Sequence, residues 1–242
     1  MQLTPEQIRL FRHNGFLKLN DGLPAELVGR LKEAILRHLQ DGIEPIVRNQ
    51  ANRAVRISQV LAREAVFKEA ATCPPLLDAL EGLLGPHIEV VQNRHNHATL
   101  NLAATENASF HRDLVQWSRG LVSVIFFLEE STSENGCTQL VPGTHLLPGV
   151  EHLHHAERSD WVEESGVLTQ YVPVPMPAGG ILLMDGLVFH RIGRNRSAGS
   201  RMSMTLGYHS VDELAADELA AGDDAKRWLV RGERKYMGND GG

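Results

Sequence analysis

Cysteine is scarce in this chain: only Cys73 and Cys137 are present, and they stand too far apart to form a C-x-x-C pair. That scarcity argues against a disulfide framework and a zinc ribbon, and a reducing, cytoplasmic setting fits best. Long apolar runs are missing too, and none approaches the roughly 18 residues that a membrane span needs. The opening MQLTPEQIRLF has neither the basic start nor the apolar core of an export signal, so the expectation is a protein that neither spans a membrane nor is exported. Basic charge is in deficit, with 24 Lys and Arg against 30 Asp and Glu for a formal net charge of -6. Without a basic run to neutralise phosphates, nucleic acid and anionic lipid are not expected partners. There is no internal repeat and no low-complexity linker, and 242 residues suit a single domain with one sizeable core.

What the chain does contain changes character near residue 86. Before it lies a helical part, about 1–86. Thr4-Pro5-Glu6-Gln7 joins an N-cap, a first-turn proline and a capping-box glutamine, which predicts a helix over 5–13 ending at Gly15. Residues 16–19 read as a short strand. Pro24 opens a second helix in which Leu27, Leu31 and Ile35 fall on one stripe and belong to the core. Pro74 and Pro75 introduce a third, over 76–84, stopped by Gly85-Pro86.

From 87 to 210, short β-branched and aromatic runs are punctuated by turn residues, the pattern of a sandwich or barrel rather than of alternating β and α units. Strands are predicted over 87–92, 97–102, 121–128, 138–141, 169–174, 180–184 and 201–209. The fold class is therefore mainly β with flanking helices. Residues 146–167 lack a period and read as a long loop, in which His152, His154 and His155 are solvated rather than metal-binding. The charged, alanine-rich stretch 212–235 has helical spacing and reads as a carboxy-terminal packing helix, a place where a homodimer could form.

The chemistry begins at Ser109-Phe110-His111-Arg112-Asp113, which sets an imidazole and a carboxylate two residues apart. On a β-strand both would project from one face while Arg112 points the other way. Alone, such a tripeptide is better explained by a salt-linked surface pair, and only a third ligand would make it a metal site. Downstream, an apolar strand runs through Asp185-Gly186 to His190, and Arg201 follows eleven residues later at the start of another strand. His190 taken alone suits a satisfied structural histidine.

Taken in order, these features resemble the phytanoyl-CoA dioxygenase family of iron(II)- and 2-oxoglutarate-dependent dioxygenases. The likeness runs across nearly the whole chain: the opening TPEQIRLFRHNGFLKL, the His111/Asp113 pair, the segment from Glu134-Asn135-Gly136 to Pro142-Gly143-Thr144-His145, and the closing histidine and arginine with Gly193 and Asn195 between them. The resemblance implies a double-stranded β-helix core (jelly roll, cupin-like). It implies His111, Asp113 and His190 as the metal ligands of the catalytic centre, and Arg201 as the partner of the far carboxylate of 2-oxoglutarate. Two imidazoles and a carboxylate occupy one face of a ferrous ion and leave three positions for the 2-oxo acid and dioxygen. A guanidinium offers a carboxylate a planar, permanently charged fork. The implied reaction couples decarboxylation of 2-oxoglutarate, giving succinate and carbon dioxide, to oxidation of a small-molecule substrate. Halogenating relatives carry a small residue where Asp113 stands, so hydroxylation is favoured over halogenation.

Around this centre the run 91–101 is unusually polar. If it is extended, Asn93, His95 and His97 share one face, either towards solvent or as a wall for 2-oxoglutarate or substrate; Asn93 and His97 are candidate cosubstrate contacts. Thr138, with Gln139, is a candidate pocket contact. His145 reads as a turn residue rather than a fourth ligand, Phe110 and Trp117 as packing or as aromatics beside a substrate channel, and Arg94, Arg112, Arg119 and Arg191 as surface arginines before partners for an anionic group. The competing reading is a non-oxidative metal-binding cupin, which has no need of Arg201.

Overall fold

The first helix forms where its caps stand. Thr4 accepts from Gln7 N at 3.3 Å while Gln7 Oε1 accepts from Thr4 N at 2.9 Å, and Gly15 closes the helix at φ 80. In the computed structural model, which describes residues 2–92, 94–114, 120–147, 159–213 and 227–234, this is α1 (Pro5–Asn14), followed by β1 (Phe16–Leu19) and α2 (Ala25–Gln40). Next come β2 (Ile46–Arg48), β3 (Ala54–Ser58), α3 (Ala65–Ala71) and α4 (Pro74–Leu84). The predicted stripe of α2 is buried, with Leu31 and Ile35 fully so. The β2–β3 hairpin and α3 were not anticipated: the hairpin's exposed Val47 and its arginines blur the alternation that marks a strand.

The remaining strands are β4 (Ile88–Val91), β5 (Asn96–Asn101), β6 (Val122–Phe127), β7 (Thr138–Leu140), β8 (Val172–Val174), β9 (Ile181–Asp185), β10 (His190–Ile192), β11 (Arg201–Ser210) and β12 (Arg227–Arg231). The larger sheet runs β1-β9-β6-β11-β5-β3-β2, with β4 paired to the end of β11 and β12 to β4. A smaller sheet runs β10-β7-β8, and every pairing in both is antiparallel. This is the expected double-stranded β-helix. Period-two alternation divides each strand between two environments. Val122, Val124 and Phe126 of β6, and Met202, Met204, Leu206 and Tyr208 of β11, pack with the helices. Their neighbours Ile125, Arg201, Ser203 and Thr205 line an internal cavity.

Two segments differ from expectation. Between 146 and 167 the chain forms a helix, α5 (Asp160–Glu164), started by the Ser159 hydroxyl on Val162 N, and a 3₁₀ turn over Val167–Gln170 delays β8 to Val172. His152, His154 and His155 lie outside the described residues. The predicted carboxy-terminal helix is contradicted at its end, where Arg227–Arg231 is strand β12; residues 214–226 lie outside the described residues. The physical reason is Glu89 on β4, which is 2% exposed and whose charge requires partners. Arg227 and Arg234 each reach it at 2.6 Å once β12 pairs with β4.

Candidate metal centre

His111 and His190 are locked to one another through their backbones. Each donates its N–H to the other's carbonyl at 3.0 Å, an antiparallel bridge that sets the two side chains on one face with ring centroids 4.3 Å apart. Of the strand considered for His111-Arg112-Asp113, only this bridge forms. Asp113 is placed instead by a bend, with its N–H and that of Leu114 both donating to Gly186 O at 2.8 and 2.9 Å. Gly186 permits this approach, since a Cβ there would lie 3.0 Å from Leu114 Cγ. By this route the donor atoms of His111, Asp113 and His190 all come within 4.8 Å of one another, a group that could hold a metal ion.

The surroundings hold all three side chains in place. His111 Nδ1 donates to Ser109 O at 3.1 Å and His190 Nδ1 to Val188 O at 3.0 Å. Each Nδ1 is thereby tied to a backbone carbonyl with Nε2 on the side of Asp113, and hydrogen bonds of this kind orient metal-binding histidines. Ser123, buried on β6, donates its hydroxyl to Asp113 Oδ2 at 2.5 Å. Burial pushes the Asp113 carboxyl up, but the His190 and His95 imidazoles and the Ser123 hydrogen bond outweigh it and hold the group down at about 2, so it is anionic at neutral pH.

The cavity beside these residues measures about 490 Å³ and also takes in Arg201, His97 and Thr138. Arg201 is 2% exposed, donates from Nη2 to Gly136 O at 2.9 Å, and leaves Nε buried with no hydrogen-bond partner. Burial lowers its pKa to about 10, which leaves it charged at neutral pH. A buried guanidinium on a cavity wall with one donor unused fits a carboxylate ligand. Arg56 Nε on β3 is likewise buried without a hydrogen-bond partner.

Of the other predicted contacts, Thr138 is 3% exposed on the cavity wall, and Asn93 lies outside the described residues. His97 lines the cavity, and its imidazole is pushed down to about 4, first by burial and then by the charge of Arg56. Between the ordinary 6.5 and about 4 the folded protein therefore keeps His97 neutral while the unfolded chain binds a proton. In that window stability falls as pH falls, by up to roughly 1.4 kcal/mol per pH unit. Urea unfolding of metal-free protein should show this loss on acidification, and His97→Asn should flatten it; an equal slope in the variant would clear His97 of the effect.

His145 is the turn residue expected, its Nε2 on Arg12 O at 2.9 Å. Arg112 is not a surface residue: it is 1% exposed, donates to Thr144 O and lies 4.3 Å over the Phe189 ring. Arg191 is half-buried between Phe110 and Tyr171, with ring distances of 4.1 and 5.0 Å. Sequence reasoning placed His95 on the polar face of the run 91–101 without choosing it as a contact, and it did not point to Ser123 or Arg56. A lone hydroxyl in the apolar run Leu121-Val122-Ser123-Val124 was the available signal for Ser123.

A double-stranded β-helix that brings two imidazoles and a carboxylate together beside a buried, unneutralised arginine has the architecture of the iron- and 2-oxoglutarate-dependent oxygenases. The chain belongs to the phytanoyl-CoA dioxygenase family, whose model matches residues 11–203. It is 24% identical over 247 residues to a probable phytanoyl-CoA dioxygenase of Caenorhabditis elegans, covering 87% of this chain and 76% of that one. In fold it is similar to EctD from S. alaskensis, solved with bound Fe, with a TM-score of 0.76, 20% identity and coverage of 96% and 88%. It is also similar to the epimerase SnoN, solved with Fe3+, alpha ketoglutarate and nogalamycin RO, with a TM-score of 0.69, 20% identity and coverage of 95% and 96%. Among the described residues no helix is long and apolar enough to cross a membrane.

Proposed function

We propose that this chain is a non-haem iron(II), 2-oxoglutarate-dependent oxygenase that oxidises an unactivated C–H bond of a small metabolite or natural-product intermediate, with hydroxylation as the default outcome. The observation that carries this reading is the presence, in one cavity, of the His111, Asp113 and His190 group and of Arg201, which has no carboxylate neighbour within ion-pair distance among the described residues. Iron held by the triad would supply activation of dioxygen, coupled to conversion of 2-oxoglutarate to succinate and carbon dioxide.

The chain's own residues do the rest. His111 and His190 present Nε2, Asp113 contributes the negative charge that favours a dication, and Arg201 gives the cosubstrate one orientation by pairing with its far carboxylate. Thr138 and His97 are the nearest further candidates for cosubstrate contacts, both on the cavity wall. The aspartate at 113 fills the position that a halide would require, which sets halogenation aside. Val47, Ile125, Met184 and Ile192 give the same cavity an apolar side where a substrate's carbon skeleton could be kept from water.

The test needs no substrate. Ferrous iron and then 2-oxoglutarate, added anaerobically to metal-free protein, should produce the visible metal-to-ligand charge-transfer band of the chelate. Folded, iron-loaded protein that shows no such band would overturn the reading.

A further inference from the structure

Three imidazoles face Asp113, one more than the ligand set uses. His95 Nδ1 stands 3.6 Å from Asp113 Oδ1, beside His190 Nε2 at 3.7 Å and His111 Nε2 at 4.0 Å. His95 is nevertheless not among the donors close enough to enclose one ion with the others. Its location is built rather than incidental. The residue precedes β5 with φ 45, in the left-handed region that glycine enters freely and that asparagine, aspartate and histidine enter several-fold more often than other residues. Across from it β11 carries Gly207, where a Cβ would come within 3.3 Å of His95 Cβ and 3.2 Å of Leu121 Cδ1. The backbone and the opposing strand thus both make room for this ring.

The carboxylate it faces is held from the other side as well. Asp113 Oδ2 accepts the buried Ser123 hydroxyl, which leaves Oδ1 as the oxygen turned towards the imidazoles. A carboxylate held at one oxygen alone can still tilt about its terminal torsion, which is broad. An imidazole 3.6 Å from Oδ1, in the space the carboxylate would sweep, restricts that tilt.

We propose that His95 is a positioning residue for the metal-binding carboxylate: its ring, with Nδ1 3.6 Å from Asp113 Oδ1, keeps the carboxylate in the orientation that faces His111 and His190, and so sets the affinity and geometry with which the site takes a divalent cation. The inference rests on the triad reading given above. It concerns the metal alone, before any cosubstrate or substrate.

Cobalt(II) is the probe, because its visible d–d bands report coordination geometry independently of turnover. His95→Gly removes the ring and suits the left-handed backbone. His95→Asn also suits that backbone and sets an amide N–H near the place of Nδ1. Cobalt affinity should fall roughly ten- to a hundredfold in His95→Gly, the range for outer partners of metal ligands, with shifted d–d bands. In His95→Asn both should return towards the parent values, and metal-free melting temperatures should stay close to the parent's in both variants. Unchanged affinity and bands in His95→Gly would overturn the proposal. So would total loss of binding in both variants, as in His111→Ala, because His95 would then be a ligand itself, and so would a drop in melting temperature that asparagine does not repair. A parent chain that binds no cobalt would instead remove the triad reading on which the proposal stands.

Discussion

His111→Ala and His190→Ala should each abolish iron-dependent turnover of 2-oxoglutarate while leaving a folded protein. Losing an outer partner of a metal ligand already costs ten- to a hundredfold in affinity, so losing one of three protein donors should cost more than about a hundredfold. The fold survives for a local reason. What ties these two positions into the barrel is the reciprocal pair of backbone bonds at 3.0 Å, and alanine keeps both. His111 is partly exposed, so little packing is lost there; His190 is 7% exposed, and its loss leaves a small void beside the cavity. Iron content after desalting, succinate release and a thermal melt together test the prediction. Full turnover in either variant would strike that histidine from the ligand set, whereas loss of the melt would show that the position serves folding first.

The candidate ligands could be picked out before the fold was known because the chemistry restricts residue type and the strands restrict spacing. His190 lies at the start of β10 and Arg201 at the start of β11, and the eleven-residue interval is the length of one strand and its turn. The barrel strands were legible for a related reason, since period two survives wherever one face packs on helices and the other lines a cavity. The reason Asp113 joins His111 was not legible: its anchor is Gly186 O, a backbone carbonyl contributed by a turn more than seventy residues away, and backbone carbonyls carry no sequence signal. Arg112 was misjudged because an arginine is rarely fully buried; here the Phe189 ring and the Thr144 carbonyl give it a site. Strand β12 was hidden because its register depends on Glu89, far earlier in the chain. What sequence alone could not supply was in each case a long-range partner.

Arg201→Met should separate the oxygenase reading from a metal-binding cupin that has no use for an arginine here. In the metal-free protein Arg201 is a burden: its charge is buried, with a single backbone carbonyl as hydrogen-bond acceptor and Nε left over. Methionine keeps an apolar stem of similar reach without that charge, so the variant should melt at or above the parent temperature. With iron present the order reverses. In the parent chain 2-oxoglutarate should raise the melting temperature, because binding to the native state alone stabilises it. In the variant that rise should vanish, since truncating one partner of a buried, hydrogen-bonded charge pair costs about 2–5 kcal/mol, which is roughly thirtyfold or more in affinity. The charge-transfer band should weaken in parallel at a fixed 2-oxoglutarate concentration, while iron binding itself stays unchanged, because Arg201 is not among the residues that could hold the metal. A variant that keeps the 2-oxoglutarate-dependent shift would show that the buried guanidinium serves the fold rather than the cosubstrate, and the cupin reading would then account better for the same cavity.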